Sequence, residues 1–129
     1  DVRSRLNVSS YEPSASWTIY AIHAPENSDK LNAVIREELD QALSQGFSQE
    51  EVDTAIDALL RYRQLARSND SVLTNTWQSY LDLNRDFSWS QQMDEKLQSL
   101  NASKVNAVLQ QYLKPDAFSS AVGADQSKQ

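Results

Sequence analysis

Cysteine is absent from the sequence and histidine occurs once, at His23. Without cysteine there is no disulfide staple and no thiol nucleophile, and with a single imidazole there is no Cys/His set for structural zinc. Paired-histidine zinc motifs, H-x-x-E-H and its inverse H-E-x-x-H, each need two histidines and are excluded by counting. Only two glycines occur, Gly46 and Gly123. They lie too far apart for a G-x-G-x-x-G turn or a Walker loop, so no phosphate cradle is encoded. Positive charge is also scarce, with 12 Lys and Arg against 18 Asp and Glu, a formal charge of -6. A groove that tracks nucleic-acid phosphates needs clustered cations in excess, which leaves no nucleic-acid role to expect. No stretch approaches the roughly 20 apolar residues of a membrane-spanning helix, so no membrane span is expected.

The 129 residues suit a single domain, residues 1-129, with one hydrophobic core. The chain opens on Asp1-Val2-Arg3-Ser4-Arg5, without an initiator Met or a signal-like apolar run. Such a start leads us to expect a piece of a longer chain. Trp17 to Ala24 is aromatic and β-branched and stops at Pro25, which predicts a strand with apolar groups on both faces. One face takes Trp17, Ile19, Ala21 and His23, and a central, covered position is expected. Val8 to Tyr11 is read as its antiparallel partner across a turn at Pro13-Ser14.

Beyond Asn27 the apolar period becomes helical. Leu31, Val34, Ile35, Leu39, Ala42 and Leu43 predict a helix over about 29-45, with Gly46 as the left-handed residue after it. Ser48-Gln49-Glu50-Glu51 is a capping box, with Phe47 and Val52 as a hydrophobic staple. The helix it opens carries Val52, Ile56, Leu59 and Leu60 inward, with Arg63 and Leu65 continuing the stripe to about Arg67. Ser68 to Ser71 breaks the pattern, and a third helix is predicted over about 72-83. A fourth starts near Ser88, with Ser88 and Gln91 at capping-box spacing, and a fifth after Asn101 as cap. Phe118 to Val122 is read as a closing strand, followed by a frayed polar tail from Asp125 to Gln129. The expected fold class is α+β. A small antiparallel sheet, two N-terminal strands and one C-terminal strand, is covered on one face by about five helices.

Few side chains invite chemistry. His23 ends a strand with no partner motif, so local hydrogen bonding is the economical reading and a self-contained hydrolase the remote one. Glu37-Glu38 and Glu50-Glu51-Asp53 sit where acids solvate a helix face or favour its N-terminal dipole. Trp77, Tyr80, Phe87 and Trp89 form an aromatic group that suits core packing, with Trp89 placed to touch a partner. No catalytic residue and no metal ligand is assigned.

Three stretches together carry a resemblance. They are Val2 to Ala15 (VRSRLNVSSYEPSA), Ala21 to Asn27 (AIHAPEN) and Gln45 to Val52 (QGFSQEEV), with Leu100 to Val105 and Tyr112 to Pro115 in matching order. The series resembles the C-terminal part of the second homologous domain of pitrilysin/insulinase-family zinc metallopeptidases. That family has an R-E-x-L-G-x-x-Y-S stretch, a strand closing on A-x-P-E-N, and G-x-T/S-x-E-E-L opening a helix. The resemblance implies a non-catalytic domain with no cofactor of its own, the zinc belonging to the N-terminal domain of an active parent. It implies as partners that N-terminal peptidase domain, in the same or a partner chain, and an unfolded peptide substrate that the two domains enclose. A bacterial, periplasmic setting is implied in the same way. Alternatives are a peptidase-like protein without activity and a free-standing protein-interaction module. By the same resemblance Arg3 and Tyr11 stand for the substrate-contacting Arg and Tyr. Ser10 occupies the seventh position after Arg3, however, and Tyr11 the eighth. A one-residue slip turns a side chain to the opposite face, so a bulge is the condition for Tyr11 to match.

Overall fold

The structure is a computed structural model that describes residues 1-123. The tail expected to fray, from Asp125 to Gln129, lies outside the described residues. The elements are β1 (Val2–Val8), β2 (Ala15–Ala21), α1 (Ser28–Gln45), α2 (Gln49–Arg67), α3 (Asp70–Asp82), α4 (Phe87–Gln98) and α5 (Ala102–Tyr112). Short 3-10 turns occupy Pro25–Asn27 and Pro115–Ala117. The chain divides into two compact units: Asp1–Gln45 with the chain from Leu109 onward, and Gly46–Val108.

In the first unit β1 and β2 form an antiparallel hairpin with an unbroken register from Val2 opposite Ala21 to Val8 opposite Ala15. Directly opposed residues share a face. Val2, Ser4, Leu6 and Val8 therefore stand with Ala21, Ile19, Trp17 and Ala15, and Arg3, Arg5 and Asn7 with Tyr20, Thr18 and Ser16. The first face is the apolar one. Trp17 is its anchor: its indole N–H donates to Ser4 Oγ at 2.7 Å and Phe118 meets its ring edge-on at 5.8 Å.

Three expectations are corrected in this unit. The first strand is Val2–Val8 and not Val8 to Tyr11, because Ser9 Oγ accepts from the Tyr11 and Glu12 amides and folds the chain away from the ladder. The closing strand at Phe118 to Val122 is absent, and 118-123 has no regular structure. After the Pro115–Ala117 turn its leading apolar side chain, Phe118, packs on Trp17 without backbone pairing. The sheet thus has two strands among the described residues. Nor is it centrally covered: every residue of β1 is exposed, and only Trp17, Ile19 and Ala21 of β2 are half-buried.

The second unit is helical, and its sequence signals are realised closely. Gly46 has φ +70, the left-handed region. Ser48 accepts from the Glu51 amide while the Glu51 carboxylate accepts from the Ser48 amide, closing the capping box that opens α2. Asn69 caps α3 by accepting from Val72 N, and Asn101 Oδ1 accepts from Lys104 N at the start of α5. α4 begins two residues earlier than a Ser88–Gln91 capping box would place it. Asp86 is its cap, accepting from both the amide and the hydroxyl of Ser88, so the Ser88 box does not form. α3 ends in a Schellman turn, with Arg85 N to Tyr80 O and Asn84 N to Leu81 O, and Asn84 takes the left-handed position at φ 52.

The Gly46 junction is held from α5. Asn106 accepts from Phe47 N at 2.8 Å and donates to Phe47 O at 2.9 Å, an amide clasp on one residue. A Cβ on Gly46 would lie 2.7 to 2.9 Å from the Asn106 side chain, closer than real contacts allow. Gly46→Ala is therefore strained twice, by φ and by the clasp. It should destabilise the helical unit by about 1–3 kcal/mol, read as a lower urea midpoint by circular dichroism. An unchanged midpoint would remove the clasp from the account.

Candidate functional site

The residues with assigned roles lie on the hairpin. Arg3 stands on the polar face opposite Tyr20, and its guanidinium meets the Asp1 carboxylate at 2.7 Å. The pair is open to water, where such bridges stabilise little. Tyr11 is 80% exposed and lies past the end of β1, in the turn between Ser9 and Ser14. The ladder carries no bulge between Val2 and Val8. At about 3.3 Å per residue, Arg3 and Val8 are roughly 17 Å apart, and Tyr11 lies farther along. The structure thus does not bring Arg3 and Tyr11 together but sets them near the two ends of β1.

The hydrogen-bonding parity of β1 follows from its ends. Asp1 and Ile22 exchange bonds, as shown by Ile22 N to Asp1 O at 2.9 Å, and Ser9 N donates to Ser14 O at 2.9 Å. Since bonded and non-bonded pairs alternate, Arg3, Arg5 and Asn7 turn their amides and carbonyls toward β2. Val2, Ser4, Leu6 and Val8 turn theirs outward.

The other candidates are accounted for locally. His23 lies just after β2, and its Nδ1 donates to Ala24 O at 2.8 Å. Glu51 belongs to the capping box, and Asp53 accepts from Gln49 Nε2 at 2.7 Å. The aromatics do converge: Trp77 and Phe87 centroids are 4.1 Å apart, Tyr80 meets Phe87 at 5.8 Å and Trp89 at 5.4 Å. Arg85 sits 4.3 Å over the Trp89 ring, so Trp89 is engaged within its own unit.

Sequence reasoning missed a polar link between α2 and α4. Arg63 and Arg67 both bond the Asp94 carboxylate, Arg67 at 2.9 Å, and Arg63 also donates to the carbonyl and hydroxyl of Ser90 at 3.2 Å. Among the described residues Ser90 is one of two buried side chains, with Val52. The available signal was a charge on an apolar stripe: Arg63 follows Ile56 and Leu60 at helical spacing. Partial removal from water raises the Asp94 pKa, but the hydrogen bond and charge of Arg63, with Arg67, outweigh this and hold the carboxyl below its ordinary range. Hydrogen bonds from Ser48 hold Glu51 below its range, and those from Ser88 do the same for Asp86.

Among the described residues no group of three or more His, Cys, Asp and Glu side chains could hold a metal ion. With one histidine and no cysteine, the donor set does not fit a zinc site. No helix among the described residues is long and apolar enough to cross a membrane.

The family model described as the peptidase M16 inactive domain matches residues 2–59, which span β1, β2, α1 and the first part of α2. The resemblance to an inactive C-terminal peptidase domain therefore holds over that stretch. No curated protein and no solved structure matches the chain.

The three depressed carboxyls fix the sign of the pH response. Their ionisation favours the fold above about pH 4, and this contribution is lost as the pH falls through the lower folded-state values. Helical ellipticity should accordingly drop on acidification below about pH 4. Asp94→Asn should cost about 1–2 kcal/mol at neutral pH and flatten that acid limb, measured by urea melts across pH. Equal acid sensitivity in the variant would show that Asp94 is not one of the groups responsible.

Proposed function

We propose that the chain is a non-catalytic C-terminal portion of a pitrilysin/insulinase-like zinc peptidase, one that helps enclose a peptide substrate and packs against the zinc-bearing domain. The observation that carries this reading is the match of residues 2–59 to the peptidase M16 inactive domain. The exposed surfaces support it. Val2, Leu6 and Val8 are 63 to 66% exposed, and Leu59, Tyr62 and Leu65 of α2 are also open to solvent. Such rows fit a piece that is covered by other protein better than a free-standing interaction module. Zinc then belongs to the N-terminal peptidase domain, in the same or a partner chain, and the setting is a bacterial periplasm.

Within this reading Arg3 and Tyr11 contact the substrate from near the two ends of β1. Arg3 supplies a cation on the polar face, and Tyr11 an exposed phenol in the turn. Neither moves a proton in the reaction. Expressed alone, the chain should cleave no unfolded peptide and bind no zinc. In the intact parent, Arg3→Ala should raise KM severalfold with kcat nearly unchanged, the signature of lost binding without lost chemistry. Hydrolysis by the isolated chain, or a parent indifferent to Arg3→Ala, would overturn the assignment.

A further inference from the structure

Within the unit Gly46–Val108, three helices frame a half-open cleft of about 180 Å³. Ala66 of α2, Leu73 and Tyr80 of α3, and Phe87 of α4 line it with apolar surface, and Arg63 and Arg67 of α2 line it with charge. Tyr62, shared with the open row of α2, also borders the cleft, but it is 69% exposed and carries no charge. An apolar cavity of about 150 Å³ is enough to hold benzene. The cleft therefore has room for one aromatic or branched side chain and not for a longer segment.

The two arginines lie one helical turn apart and share a single acid. Arg63 Nε and Arg67 Nη1 bond opposite oxygens of Asp94, and Arg63 Nη2 donates to the carbonyl and hydroxyl of Ser90. Arg63 Nη1 and Arg67 Nε and Nη2 take no part in these bonds. A guanidinium carries five N–H donors and no acceptor, so both side chains keep donors to give. Two cations against one carboxylate leave a net positive charge beside the cleft, in a chain whose formal charge is -6. Arg63 is only 22% exposed, which limits screening by water and salt. Asp94 also holds both guanidiniums in place beforehand, so an incoming anion does not have to order them.

We infer that this cleft receives the free C-terminal carboxylate of a peptide whose last residue is aromatic or branched and apolar. The side chain packs among Leu73, Tyr80 and Phe87, and the carboxylate takes the open donors of Arg63 and Arg67. Only the last residue of a peptide carries an apolar side chain and a carboxylate on the same carbon, which is the pairing that a one-residue cleft beside a net cation selects. Asp94 is a positioning residue, acting through the arginines. The inference rests on the peptide-enclosing reading and names the part of the peptide that is held.

The test follows amide chemical shifts of the 129-residue chain with four probes. They are acetyl-Ala-Ala-Phe with a free carboxylate, the same peptide as its C-terminal amide, acetyl-Ala-Phe-Glu-Ala-amide, and 3-phenylpropionate. The free acid should shift the Ala66, Leu73 and Phe87 amides and bind about tenfold more tightly than its amide, the step expected of a charge-assisted hydrogen bond. Arg67→Ala should remove that preference. Ala66→Leu, which fills the cleft and keeps both arginines, should weaken acid and amide alike. A merely structural role for Arg67 would lower the urea midpoint and leave the acid-to-amide ratio unmoved. Equal binding of acid and amide, or shifts away from the cleft, overturns the inference and leaves the peptide-enclosing reading standing. A peptide with internal Glu that binds as well assigns the cleft to an acidic side chain of another protein, and 3-phenylpropionate binding as well assigns it to a small acid. Either result overturns the inference. Silence from all four probes overturns it too, whereas the peptide-enclosing reading falls only if the parent is indifferent to Arg3→Ala.

Discussion

The antiparallel register of β1 on β2 is the constraint from which the arrangement of the hairpin follows. With Arg3 opposite Tyr20 and Leu6 opposite Trp17, a period of two sorts the strand into a face with Arg3, Arg5 and Asn7 and a mainly apolar face on which Ser4 is the one polar residue. The same register decides the edge. Because Arg3, Arg5 and Asn7 spend their backbone groups on β2, the residues that face outward are those whose side chains are small or apolar. A slip of one residue would exchange both assignments at once. Ser9 guards against that slip: its hydroxyl binds two amides of the turn and its own amide closes on Ser14, so the hairpin has one comfortable length.

The helical unit is organised differently. Few of its side chains are fully removed from water, and polar links do much of the positioning. Asn106 holds the Gly46–Phe47 corner, Gln49 accepts from the Ala102 amide, and Asp94 joins α2 to α4 through two arginines. Each link satisfies groups that a helix end or a half-buried charge would otherwise leave open. The aromatic set around Phe87 adds the apolar contact between α3 and α4. These features hold helices in place, and none brings together a nucleophile, a base and a charge stabiliser.

Much of this was legible in the sequence for local reasons. Ser48 and Glu51, Asn101, and Gly46 are signals complete within a few residues, so the helix starts and the left-handed turn could be read directly. The family resemblance was legible for the same reason, in short ordered motifs, and the match over residues 2–59 bears it out. What could not be read depended on choices between near-equal local options. Ser9 competes with the ladder for the backbone, which moved β1 toward the start of the chain. Asp86 outcompetes Ser88, two residues on, as the cap. Phe118 and Val122 look strand-like, but side-chain packing on Trp17 uses Phe118 without pairing its backbone. The Arg63–Asp94 link spans 31 residues and has no local signature beyond a charge on an apolar stripe.

The hairpin carries Arg3 and Arg5 on one face and Val2, Leu6 and Val8 on the other, with the backbone groups of the two sets turned in opposite directions. Amide hydrogen exchange on the unliganded chain tests that arrangement most directly. The account predicts slow exchange at Arg3, Arg5 and Asn7 and fast exchange at Ser4, Leu6 and Val8. Uniform protection along β1, or the opposite alternation, would contradict it.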